Sequence, residues 1–307
     1  MSIVNNRTCA VVVTYNPTVK KLNTMRENFK NLQDFLVYDN GSADRVKTKI
    51  KGLVAEFKNR LNEDNRGIYF INGKENLGLA KAYNISIKFL KEKNYEFVLI
   101  LDQDSKLSIG TTEKLLAQYE RLSENYRIGA ISPTVIQEGQ GPLNAFFDGR
   151  FRWKGLSYED RFVLESPFLI NSGTFMQIKI LDEIGHYDET LFLDSVDHEM
   201  SFRMRYYGYH LFIVKEVLLR QNVDNKIDFK LFWIKLDREG HSPTSDYYLV
   251  RDSMRVAKRY LKYYWPQSLL LFCNVIIKFV ATLFIYRHKN ERFAMIIKGL
   301  KDFILSL

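Results

Sequence analysis

From residue 8 to residue 132 the chain alternates short β-branched apolar runs with longer amphipathic stretches, and that rhythm admits few folds. Residues 9–15, 35–38, 67–71, 96–101 and 128–132 read as strands. Residues 19–31, 44–58, 78–93 and 111–125 carry helical spacing. Strands alternating with helices of this length predict an α/β chain, a parallel sheet with helices on both faces. Right-handed crossovers bring the loops at Tyr15-Asn16, Asp39-Asn40, Asn76-Leu77 and Asp102-Gln103-Asp104 to one sheet edge. Open α/β sheets bind their ligands at the carboxyl ends of strands, so the polar clusters fall where a site belongs.

The rhythm breaks near Pro133. Residues 134–170, rich in glycine and aromatics, read as loops and short antiparallel strands. A helix over 199–207 ends at Gly208, strands follow at 209–214 and 217–219, and a last clear helix runs from 244 to about 263. The expected organisation is one catalytic-size domain over 1–225, with halves of about 1–133 and 134–225. A helical extension over 226–307 follows it.

The formal charge of +9 favours an anionic partner: a nucleotide, a nucleic acid or an anionic membrane. No nucleic-acid reader motif accompanies it, so nucleic-acid binding is not expected. The two cysteines, Cys9 and Cys273, have neither metal-type spacing nor the density of a disulfide framework. The polar start, residues 1–8, is unlike a secretory signal, which gives a cytoplasmic expectation. Residues 268–286 are mostly apolar but carry Asn274 and Lys278, and a charge at a bilayer centre costs a few kcal/mol. Arg287, His288, Lys289, Arg292, Lys298 and Lys301 follow among apolar positions. Residues 268–307 are therefore expected to lie on an anionic membrane surface rather than cross it. The competing reading is a helical hairpin packed on the main domain or on a second subunit.

Asp102 and Asp104 flank Gln103 at the end of the apolar 95–101 run, and strand alternation points both carboxylates the same way. Like charges so placed call for a cation between them, such as a divalent metal shared with a diphosphate; two solvated loop acids are the alternative. Asp39 stands before Asn40-Gly41-Ser42, where it can accept a hydrogen bond from a pyrimidine or simply close an Asx turn. Thr14, Tyr15 and Asn16 end the neighbouring strand. Asn76, Gly78 and Lys81 open a helix whose amino end attracts anions; the alternative is an Asn cap with Lys81 in solvent. Asp197 and Glu199 sit where a helix starts, a position that favours acids by the helix dipole alone.

The order Val11 to Asn16, Asp39-Asn40-Gly41-Ser42, Asn76 to Ala80 and Leu101 to Ser105 resembles the family-2 glycosyltransferases. Their fold is GT-A, a Rossmann-like mixed sheet flanked by helices. Leu193 to Arg203, Gly208-Tyr209, His241-Ser242-Pro243 and Tyr247 to Asp252 are similar to the bacterial rhamnosyltransferase branch. The resemblance covers roughly residues 8–255. It implies a nucleotide-sugar donor, best matched by dTDP-L-rhamnose with UDP-galactofuranose as alternative. The acceptor would be a polyprenyl-diphosphate-linked saccharide at the cytoplasmic face of a bacterial membrane, and transfer would invert the anomeric carbon. Asp39 would meet the nucleobase beside Thr14, Tyr15 and Asn16, with Asn40, Asn76, Gly78, Lys81 and Gln103 around the donor. Asp102 and Asp104 would hold the diphosphate with Mg2+ or Mn2+. Asp197 would be the general base, and Glu199 would position the acceptor or tune Asp197.

Relatives carry a His beyond the 217–219 strand and a Gly three positions later, where this chain has Gln221 and Asp224. Gln binds transition metals more weakly than imidazole, so Gln221 is a reduced metal ligand. His198, His210 and His241 are the substitutes to examine. A nucleotidyltransferase would need a Gly-rich loop where Asn16-Pro17-Thr18 stands, and a non-catalytic binding protein would not need the acids. Association into homo-oligomers stays open.

Overall fold

The computed structural model describes residues 7–60, 67–137, 141–142, 146–147, 153–154, 162–221, 226–231, 234–239, 242–284, 286 and 288–306. Asp224, His241 and Arg287, named above, lie outside the described residues. The alternating half contains β1 (Thr8–Thr14), α1 (Val19–Asn31), β2 (Phe35–Asp39), α2 (Asp44–Arg60), β3 (Ile68–Asn72), α3 (Leu79–Glu92) and β4 (Phe97–Asp102). Then come β5 (Ser105–Leu107), α4 (Thr111–Ser123), β6 (Ile128–Gln137), β7 (Gly141–Pro142), β8 (Phe146–Phe147), β9 (Trp153–Lys154), β10 (Val163–Glu165) and β11 (Phe175–Gln177). The rest is α5 (Ile180–Ile184), α6 (Val196–Tyr206), β12 (His210–Gln221), β13 (Lys226–Leu231), β14 (Ile234–Glu239), α7 (Pro243–Tyr260), α8 (Trp265–Phe284) and α9 (Lys289–Leu305).

The main sheet runs β10-β12-β6-β11-β4-β1-β2-β3. β4, β1, β2 and β3 are parallel, as the alternation predicts, while β11 lies antiparallel between β4 and β6. Successive residues of β1 serve opposite cores: Val11 and Val13 pack with α3 and α6, and Ala10 and Val12 with α1, α2 and α4. Burial on both faces explains why this strand reads as a continuous apolar run.

Several departures from the sequence reading have local causes. The two strands expected at 209–214 and 217–219 are one, β12, whose register slips between Val214 and Leu218, so a bulge mimics a break. β5 is too short to show a period, yet its pairing with β12 sets Gln221 opposite Ser105. β13 and β14 pair antiparallel, so the C-terminal region is not helical throughout. Lys278 is not a charge awaiting lipid. It is 2% exposed, its ammonium 2.8 Å from Asp246 of α7, and the same carboxylate holds Arg292 of α9 at 2.6 Å.

Candidate active site

Register assembles the site. Thr14 pairs with Asp39, and Val13 with Asp102, so the carboxyl ends of β1, β2 and β4 stop together. Beyond them opens a cavity of about 780 Å³. Its walls include Tyr15, Asn40, Asn76, Gly78, Asp102, Gln103, Asp104 and Gln221, all expected from the sequence. The Gln221 amide donates to Asp102 Oδ2 at 3.2 Å and lies 3.5 Å from Asp104 Oδ1. Lys21 Nζ stands 3.3 Å from Asp104 Oδ2. Among the described residues, no group of three or more His, Cys, Asp or Glu side chains gathers as a metal site. The cluster at the strand ends is two carboxylates, an amide and an ammonium.

The loops around the cavity brace one another. Asn40 donates to Asn76 Oδ1 at 3.0 Å and to Gly78 O at 3.2 Å, and accepts from Leu77 N at 2.9 Å, tying β2 to the start of α3. Gln103 accepts from Tyr15 N at 3.3 Å. Asn16, at φ 44°, accepts from Ala43 N at 2.9 Å and donates its own N–H to Ser42 Oγ at 2.8 Å. Gly78 has φ +83°, and a Cβ there would lie 2.5 Å from Phe192 O. That carbonyl accepts from Leu79 N at 2.7 Å, so the glycine lets the Phe192 loop close on α3.

Four donor-side residues, Thr14, Asn16, Asp39 and Lys81, stand outside the cavity wall. Asp39 is fully buried; its carboxylate lies 3.3 Å from Ser42 N, 3.5 Å from Thr14 Oγ1 and 3.8 Å from Lys47 Nζ. This is the turn-closing geometry. Lys81 is exposed and 3.9 Å from Glu189. Lys21, which sequence reasoning did not single out, brings a cation to the acids instead. Its signal was readable: it lies in the first turn of α1, capped by Thr18, on the same sheet edge. Phe192, Ser242, Thr244, Ser245 and Tyr248 complete the cavity from the C-terminal side, and the Phe192 and Tyr248 rings stack 4.4 Å apart.

α6 starts at Val196, three residues earlier than the sequence suggested, behind Ser195 at φ 57°. Asp197 therefore sits inside the first turn. It lines a second, water-sized cavity of about 10 Å³ with Asn171, Thr174 and Tyr187 rather than the large one. His198 Nδ1 is 3.0 Å from Asp197 Oδ1, and His198 N donates to the same oxygen at 2.8 Å. Burial pushes the Asp197 pKa up, but the charge and hydrogen bonds of His198 outweigh it and hold it below the ordinary aspartate value. Burial likewise lowers His198, and Asp197 more than reverses this. Tyr83 is buried and lines neither cavity; its pKa is raised by burial first, then by the charges of Asp102, Tyr187 and Asp197.

Glu199 is 2% exposed and fully engaged, with Arg203 at 2.5 Å, Tyr260 at 3.0 Å and Arg259 at 3.3 Å. It fastens α6 to α7 and lines neither cavity. Arg205 packs over the Tyr264 ring at 4.5 Å. His198 is engaged by Asp197. His210 and Gln221 occupy opposite ends of a 12-residue strand, roughly 35 Å apart at about 3.3 Å per residue. Neither His stands in for the expected metal ligand.

A parallel half-sheet ending in paired acids, extended by a mixed half, is the architecture of a GT-A glycosyltransferase. Residues 9–185 match the family described as Glycosyl transferase family 2, and the chain belongs to that family. It is 28% identical over 259 residues to the dTDP-rhamnosyl transferase RfbF of Shigella flexneri, covering 83% of this chain and 81% of that one. The crystal structure of GalNAc-T7 with UDP, GalNAc and Mn2+ superposes over 85% of this chain with a TM-score of 0.57 at 17% identity. This chain spans 49% of that one's length. S. aureus TarS matches over 97% of this chain and 43% of its own, at 15% identity and a TM-score of 0.49.

Proposed function

We propose that this glycosyltransferase moves L-rhamnose from dTDP-L-rhamnose to a hydroxyl of a polyprenyl-diphosphate-linked saccharide, as a step of bacterial cell-surface polysaccharide synthesis. The observation that carries the reading is the strand-end cavity with Asp102, Asp104 and Lys21 converging in its wall. Likeness to the dTDP-rhamnosyl transferase supports the choice of donor.

In the proposed reaction the bond between the anomeric carbon and the β-phosphate oxygen breaks, and its electron pair leaves with dTDP. The acceptor oxygen forms the new bond from the opposite face, which inverts the configuration, and its proton passes to Asp197. His198 keeps that carboxylate ionised, and Asp197 would have to meet the acceptor hydroxyl from the smaller cavity it lines rather than from the donor cavity. Lys21 supplies positive charge beside the departing diphosphate.

Mg2+ or Mn2+ fits this donor set. Both carboxylates approach the single Gln221 amide, and a half-turn of that amide would present its oxygen, giving three hard oxygen ligands. The bound ion would neutralise charge growing on the diphosphate. Mn2+ in the GalNAc-T7 structure supports the same choice.

The test is a nucleotide-sugar panel with Mg2+ or Mn2+, read as shifts in melting temperature, because a tight donor stabilises the fold by mass action. dTDP-L-rhamnose is expected to give the largest shift and to release dTDP when acceptor is added. A shift with UDP-galactofuranose and none with dTDP-L-rhamnose overturns the donor assignment.

A further inference from the structure

α8 is apolar on the side it shows to solvent as well as on the side it buries. Leu271, Val275, Lys278 and Thr282 follow one another at helical spacing along the buried side. The other side exposes Trp265, Leu269, Ile276, Val280, Leu283 and Phe284. The helix contains no acid, and its one charge, Lys278, is on the buried side. A helix of 20 residues lays an apolar strip about 30 Å long. Soluble monomers seldom leave so large a patch uncovered.

The buried charges fix how such a strip can meet a bilayer. Asp246 of α7 binds Lys278 of α8 and Arg292 of α9, and the Tyr286 ring lies 4.1 Å from the first cation and 4.5 Å from the second. The three helices are pinned together at that point. Were α8 to span a membrane, it would draw the basic side chains of α7 and α9 into hydrocarbon, where each charge is strongly disfavoured. Lying flat, α8 immerses only its outer face.

The ends of the strip say what covers it. Lys258 and Lys262 precede it and Lys289 follows it, all exposed. Exposed Tyr263 and Trp265 stand at its entry, the aromatic type enriched at membrane interfaces. A second copy seated on this face would bring like charges together in either direction, whereas an anionic leaflet neutralises both ends. We propose that the outer face of α8 is a docking surface for an anionic phospholipid bilayer, with the helix lying in the interfacial plane.

The experiment uses the full chain without donor, sedimented with vesicles of equal parts phosphatidylglycerol and phosphatidylcholine, or of phosphatidylcholine alone. The protein is expected to follow the anionic vesicles, to bind the neutral ones weakly, and to be released by salt. The pair Ile276→Asp and Val280→Asp is expected to weaken binding about tenfold or more. The double variant's circular dichroism and its donor-induced melting shift should match wild type, which separates this surface from the donor reading. Wild-type protein left in the supernatant, or equal binding to neutral vesicles, overturns the proposal. So does a wild-type dimer in light scattering that the two aspartates dissociate, which would assign the face to a second copy.

Discussion

The amide of Gln221 donates to Asp102 and reaches Asp104, so one neutral side chain mediates between the two carboxylates at the end of β4. The contact depends on β5, whose pairing with β12 sets Gln221 opposite Ser105. Imidazole is a stronger ligand than an amide for transition metals and gains little for Mg2+. Gln221→His is therefore expected to lower the Mn2+ concentration for half-maximal activity about tenfold or more while leaving Mg2+ nearly unchanged. Asp104→Asn should cost on the order of 100-fold or more in turnover with either metal. Metal titrations of donor turnover check both, and a Gln221→His enzyme with unaltered Mn2+ dependence would detach Gln221 from the metal.

Lys21 and Lys81 make a paired test of which cation serves the donor. Lys21 lies 3.3 Å from Asp104, whereas Lys81 is 3.9 Å from Glu189 on the exposed rim. An exposed pair contributes little, about 0–1 kcal/mol. Lys21→Ala should lower kcat/KM for the donor roughly 10- to 100-fold, and Lys81→Ala should leave it within about threefold. Steady-state kinetics with donor varied decides it, and a reversed order of the two effects would return the role to Lys81.

His198 and Asp197 share a proton-sensitive contact. With His198 in place, Asp197 titrates below the ordinary aspartate range despite its burial. His198→Gln removes the charge and leaves the burial, so the Asp197 pKa must rise. The acid limb of the kcat/KM profile should then move to higher pH, with activity at alkaline pH less affected. Profiles that superimpose would show that Asp197 is not the titrating base.

The parallel half of the fold was legible because strands buried on both faces leave unbroken apolar runs, as at Val11-Val12-Val13 and Val98-Leu99-Ile100. The site edge was legible for the same reason, since strand order and crossover handedness place Asn40, Asn76, Asp102 and Asp104 together. Legibility ended where long-range contact decides the outcome. Nothing local tells that Asp39 turns inward to Ser42 and Lys47, because base recognition and an Asx turn ask for the same residue. Nor does local sequence reveal that Lys278 meets Asp246, 32 positions away; a lysine in an apolar helix looks the same until its partner is known. Glu199 reads as a site acid from the family resemblance, although a helix start favours an acid by itself; its partners are Arg203 on α6 and Arg259 and Tyr260 on α7, 60 and 61 positions away.

Asp252 of α7 is the clamp behind the Phe192 wall. It accepts from Phe192 N at 3.2 Å and from Arg251 Nε at 2.7 Å, and it is fully buried. Burial raises its pKa from 3.8 to about 6, with Arg251 only partly offsetting the cost. A folded-state value above the unfolded one means the native chain holds the extra proton. The stabilisation is complete below about pH 4 and disappears as pH climbs through 6. A shift of about 2 units amounts to roughly 3 kcal/mol. Asp252→Asn keeps an acceptor for Phe192 N and has nothing to ionise. The variant should therefore gain on wild type as pH rises from 4 to 7, by an amount of that order, when both are followed by denaturant unfolding. Parallel stability curves would mean that Asp252 is ionised throughout and that its pairing with Arg251 fully offsets burial.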